Sequence, residues 1–110
     1  MSSADHSADV DVPDRRADVE WVELDGEAVL YDPQSHVVHR LNAGAAAVWT
    51  ACDGTASPRR IARDLEKTYS GPPGVITRDV RTVIRRLRRL GLLRQLPAEA
   101  EAQHGDDPLR

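Results

Sequence analysis

At 110 residues, 40% apolar and with a net charge of −3, the chain has room for one small domain, and with its polar ends set aside about 75 residues remain to build a core, too few to enclose a sizeable active site. No run of about 18 apolar residues is present to span a membrane, and the acidic N-terminus lacks the positive charge and apolar stretch of a signal peptide, so a cytoplasmic protein is expected. Cys52 is the single cysteine, which excludes an internal disulfide, and no CxxC or Cys/His cluster surrounds it to hold a structural zinc.

Residues 1–18 are rich in Asp, Ser and Ala and show no apolar periodicity, so a disordered acidic segment is expected there. Residues 20–24 and 27–31 flank Asp25-Gly26, a pair that tolerates positive φ, and read as a β-hairpin. Asp32-Pro33-Gln34-Ser35 signals a turn, and the β-branched run 36–41 reads as a third strand, completing an antiparallel meander.

Asn42 is suited to cap a first helix over 43–51 that Asp53-Gly54 stops. Ser57 followed by Pro58 opens a second helix, in which Ile61, Ala62, Leu65 and Tyr69 share a face, and the Pro/Gly cluster 71–74 ends it. The sequence places Thr77 as the cap of a third helix whose Val80, Val83, Ile84, Leu87 and Leu90 form one stripe, with Gly91 as the stop. The domain is expected over residues 19–95, and 96–110, with Pro97, Gly105 and Pro108, as a flexible tail.

Catalytic chemistry finds little support. Cys52, His36 and His39 do not converge by spacing, and two histidines three apart on a strand point to opposite faces and cannot chelate one metal. Gly71 to Gly74 is interrupted by prolines and lacks the Lys-Ser/Thr of a phosphate loop. A non-enzymatic protein without cofactor is the reading.

What remains is surface. An exposed third strand beside an arginine-flanked third helix forms a peptide groove, in which an extended ligand would pair with the backbone of Val37, Val38, His39 and Arg40. Val80, Ile84 and Leu87 would supply an apolar pocket, and Arg81, Arg85 and Arg88 would meet acidic ligand residues. The competing readings are that the stripe is ordinary core, that the arginines are a solvated face, and that the N-terminus or a second copy covers the strand edge.

Asp25-Gly26, Leu41-Asn42, Ala46, Trp49, Cys52-Asp53-Gly54, Ser57, Ile61-Ala62, Leu65, Tyr69, Asp79-Val80 and Leu90-Gly91-Leu92-Leu93 form a series. Taken together, it resembles the PqqD-like family over roughly residues 20–94. That resemblance implies an α+β, winged-helix-like fold in which a three-stranded antiparallel sheet precedes a three-helix bundle. It also implies a function: recognition of the leader of a ribosomally made precursor peptide, bound as an added strand between the third strand and third helix. The separate modifying enzyme served would be a radical SAM protein, a protease or a cyclase. His39 stands where the family pattern leads one to expect an aromatic, and the arginine density of the third helix points to an acidic leader. The alternative is a winged-helix DNA-binding regulator using that helix. The acidic net charge, the missing basic wing and the lack of base-reading Asn or Gln weigh against nucleic acid.

Overall fold

The computed structural model describes residues 11–69, 72 and 74–94. Three strands, β1 (Glu20–Leu24), β2 (Glu27–Asp32) and β3 (Val37–Leu41), precede three helices, α1 (Ala43–Ala51), α2 (Pro58–Thr68) and α3 (Val75–Arg89). The architecture is the expected α+β one.

The hairpin turn holds Asp25 at φ 54° and Gly26 at φ 83°, the double positive φ of a type I′ turn, whose twist matches that of the strands it joins. The sheet order is β1-β2-β3 and both pairings are antiparallel. Register aligns Trp21 with Leu30 and Leu30 with His39, so these share one face with Ala28, Leu41, Asp32 and Val37. Ala28, Leu30, Asp32 and Leu41 on that face are buried. The helices cover it.

Helix α1 packs on β2, β3, α2 and α3, and its small Ala45 and Ala46 admit the sheet closely while Trp49 fills the centre of the core. Trp21 meets Trp49 edge to face, with ring centroids 6.0 Å apart and planes at 89°. Ile61 and Ala62 of α2 and Val80, Ile84 and Leu87 of α3 complete the core. Each large aliphatic side chain so buried contributes roughly 1.5–3 kcal/mol.

The helix ends follow the expected chemistry in part. Asn42 Oδ1 accepts from the Ala45 N–H at 2.9 Å, and Ser57 Oγ accepts from the Arg60 N–H at 3.2 Å with Pro58 at the first helical position. Gly91, at φ 75°, closes α3: its N–H donates to Arg88 O and the Leu92 N–H to Leu87 O, both at 3.0 Å, a Schellman arrangement with Leu87 and Leu92 buried together.

Three expectations are corrected. Helix α3 is not capped by Thr77: it starts at Val75 after Gly74, whose φ of 88° turns the chain into the helix early enough for Ile76 to pack on the core. The third strand begins at Val37, because His36 takes φ 64° and its N–H closes the preceding turn on Asp32 O at 2.8 Å. Residues 11–18, expected to lack order, are docked. Asp14 bridges to Asp53 and Arg15 to Leu93, Pro13 is fully buried, and Gly54 donates to Pro13 O at 3.0 Å. Gly54 has φ 83°, which favours glycine, and a Cβ there would crowd the Asp14 carboxylate at 3.0 Å, so the strap seats most easily on a residue without a side chain. The remainder of the acidic segment, residues 1–10, and the tail 96–110 lie outside the described residues.

Candidate functional site

Strand β3 is a sheet edge whose outer side has no strand partner among the described residues. Val37 and Val38 on it are 44% and 59% exposed. A β-branched edge with free N–H and C=O groups and neither Pro nor Lys to blunt it is a template for another extended chain. Alternation puts Val37 and His39 on the helix side and Val38 and Arg40 on the outer face, where Arg40 pairs with Glu27 at 3.3 Å. Both members of that pair are well exposed, so it adds at most about 1 kcal/mol.

Helix α3 has two flanks on either side of its buried stripe. Ile76, Val83 and Leu90 recur every seven residues on one, Arg81 and Arg88 on the other. The first flank opens on a cavity of about 540 Å³, lined by the first turn of α1 from Asn42 to Ala45, by Leu65 and Tyr69 of α2, and by Ile76, Asp79, Val80 and Val83 of α3. Since Asn42 directly follows β3, this mostly apolar hollow lies at the Leu41 end of the strand edge. Near its other end, a polar cleft of about 780 Å³ is bounded by Gln34, Arg16, Asp18, Arg88, Gly91 and Arg94.

The expected site residues therefore divide. Val37, Val38, His39 and Arg40 are on the free edge. Val80, Ile84 and Leu87 are 1%, 3% and 1% exposed, so the expectation that they form a surface pocket is corrected: they are core, and of the three only Val80 floors the apolar hollow. Arg81 and Arg85 face a separate hollow of about 130 Å³ with Pro58 and Asp11, and Arg88 is already engaged by the Asp11 carboxylate. The strap thus supplies the acid that the sequence reading looked for in a ligand. Ile76 and the first turn of α1 were missed, though the seven-residue spacing of Ile76, Val83 and Leu90 was a usable signal.

Cys52 is fully buried at the end of α1, and burial pushes its thiol up to about 12 against the pull of Arg15 and Arg88, leaving it protonated and unreactive at neutral pH. Among the described residues no group of three or more His, Cys, Asp or Glu is placed to hold a metal. None of their helices is long and apolar enough to cross a membrane.

Comparison with known proteins bears on this arrangement. No curated protein sequence matches the chain. Among solved structures, TbiB1 in complex with the TbiA(beta) leader peptide is 25% identical, with a TM-score of 0.65 over 73% of this chain and 93% of TbiB1. Lasso peptide synthetase B1 complexed with the leader peptide is 23% identical, TM-score 0.66, over 76% of this chain and 99% of that one, and shares the fold. The PqqD truncation of Methylobacterium extorquens PqqCD, described as a functional, stand-alone recognition element for ribosomally synthesized and post-translationally modified peptides, is 25% identical, TM-score 0.60, over 76% and 89%. The family model for coenzyme PQQ synthesis protein D matches residues 27–93, from the start of β2 to the Leu92-Leu93 return behind α3, and the chain belongs to the PqqD family.

Proposed function

We propose that this domain binds the leader region of a ribosomally synthesized precursor peptide as a fourth strand on β3 and presents it to a separate modifying enzyme. The observation that carries the reading is the free edge of β3, with Val37 and Val38 exposed at one end and the apolar hollow between α1 and α3 beyond the other. Membership of the PqqD family supports it, as do two relatives at 25% identity, one solved with a leader peptide and one described as a recognition element. These similarities favour peptide over the nucleic-acid alternative. The domain acts by binding rather than catalysis, and a radical SAM protein, a protease or a cyclase would each fit as the enzyme it serves.

In this reading the backbone of residues 37–40 fixes the register of the leader, and an apolar leader side chain enters the hollow beside Ile76, Val80 and Val83. Arg81 and Arg85 lie on the far flank of α3 and do not hold it, and Arg88 is taken up by the Asp11 carboxylate. Micromolar affinity, about 8 kcal/mol, is within reach of strand addition with two or three such anchors.

The test is a fluorescence-polarisation titration with the labelled leader of the precursor encoded nearest the gene, with a random DNA duplex as control. Saturable binding is expected. It should fall at least ten-fold in Ala43→Trp, which fills the hollow from an exposed position, and stay within about two-fold in the triple Arg81, Arg85 and Arg88 to Ala variant. Salt-sensitive DNA binding without peptide binding would overturn the reading.

A further inference from the structure

We propose that Arg16 sets the spacing between the two walls of the leader groove, making it a positioning residue for leader binding without being part of the β3 edge; this rests on the groove reading above. The observation is one guanidinium that joins the entry of one wall to the exit of the other. Arg16 Nη1 and Nη2 donate to Asp32 Oδ2 and Oδ1 at 3.1 and 3.0 Å, and Nη1 also donates to the Gly91 carbonyl at 2.9 Å. Asp32 ends β2, and its Oδ1 and main-chain carbonyl accept from Gln34 N at 2.9 Å and His36 N at 2.8 Å, so it shapes the turn that launches β3. Gly91 is the residue by which the chain leaves α3.

The clasp is held in turn. Asp18 accepts from Arg16 Nε and Nη2 at 3.0 and 2.7 Å, and the Arg16 backbone N–H donates to Leu92 O at 3.1 Å. The Arg16 and Asp32 side chains are only 14% and 5% exposed, so the pair is shielded and its planar two-pronged geometry is one a lysine cannot reproduce. At its Leu41 end β3 is tied to the helices covalently through Asn42. At the Val37 end, Arg16 is the side chain that bridges the turn before β3 to the end of α3. An added strand needs both walls at fixed separation, since its backbone is pinned by β3 while its side chains are gripped by α3. Arg16 precedes the family match over residues 27–93, whereas its partners Asp32 and Gly91 lie within it, so the clasp ties a residue outside the matched part to both groove walls.

The measurement is the affinity and dissociation rate of the same labelled leader peptide on wild type, Arg16→Lys, Asp32→Asn and Ile61→Val, with the melting midpoint of each. Ile61→Val trims buried core on α2 at a residue that lines neither the hollow nor the polar cleft, and controls for stability. Arg16→Lys and Asp32→Asn are expected to weaken binding about ten-fold, chiefly through faster dissociation, while Ile61→Val binds as wild type. Leader binding unchanged in both clasp variants overturns the clasp and leaves the groove reading standing. Equal loss in Ile61→Val at a matched midpoint overturns it too, as a plain stability effect. No binding by the wild-type chain overturns the groove reading and the clasp with it.

Discussion

Arg15 and Arg16 are adjacent, and their side chains go to different layers of the molecule. Arg15 Nη1 donates to Trp49 O at 3.1 Å and Thr50 O at 2.7 Å, while its guanidinium carbon lies 5.4 and 5.8 Å from the ring centroids of Trp21 and Trp49. Helix α1 has no basic residue in its last turn, and Arg15 supplies from outside the positive charge that its terminal carbonyls favour. Beneath it Cys52 is sealed, and burial holds its thiol well above its ordinary range. The expected consequence is that a thiol reagent such as DTNB leaves the native protein unmodified at pH 8 and titrates one thiol per chain once guanidinium chloride has unfolded it. Rapid labelling of the folded state would show that the end of α1 opens readily and that the strap does not seal it.

At the scale of the element, the strap of residues 11–18 supports the end of α1 and the Leu92-Leu93 return at once, through Arg15 N to Cys52 O, Arg16 N to Leu92 O and Arg94 N to Asp14 O. Replacing Arg15 by Ala removes two charged hydrogen bonds and a stacked cation, and should cost about 2–3 kcal/mol. For a domain of this size that lowers the melting midpoint by roughly 8–20 °C, measurable by circular dichroism, and Arg15→Lys should recover little because it lacks the planar face. A loss under a few degrees would make the strap an ornament of the fold. This element was illegible in the sequence for a physical reason. Its anchors are Pro13, backbone bonds and Asp and Arg side chains, none of which produces an apolar period. The strands and helices were legible because Asp25-Gly26, the turn at 32–35, the β-branched run after it, Asn42, Ser57-Pro58 and Gly91 carry local chemistry that tertiary packing then reinforces. The groove was half legible: the free β3 edge follows from strand order, whereas the flank of α3 facing the hollow depends on where α1 and α2 sit. Composition drew attention to Arg81, Arg85 and Arg88, and packing turned the other flank inward.

For the molecule as a whole, the carboxylates that the fold uses most tie separate layers together, and this sets how stability responds to acid. The Arg16 guanidinium holds the Asp32 carboxyl well below the usual carboxylate range, and it lowers Asp18 as well; hydrogen bonds from Thr55 do the same for Asp53. Arg16 itself is raised further from any accessible pH and does not titrate in the window. A group whose folded pKa lies below its unfolded value near 3.9 contributes stability that is present above about pH 4 and is lost as pH falls through the folded value. The melting midpoint should accordingly be nearly flat from pH 7 to about 5 and drop steeply below about 4. Asp32→Asn should melt lower than wild type at pH 7, because the charge-assisted hold on Arg16 is gone, and should lose less on acidification, so that the two curves converge towards pH 2. Thermal scans by circular dichroism across pH 2–7 check this, and curves that run parallel throughout would mean that the Arg16 to Asp32 contact does not couple the turn before β3 to the end of α3 in the folded molecule.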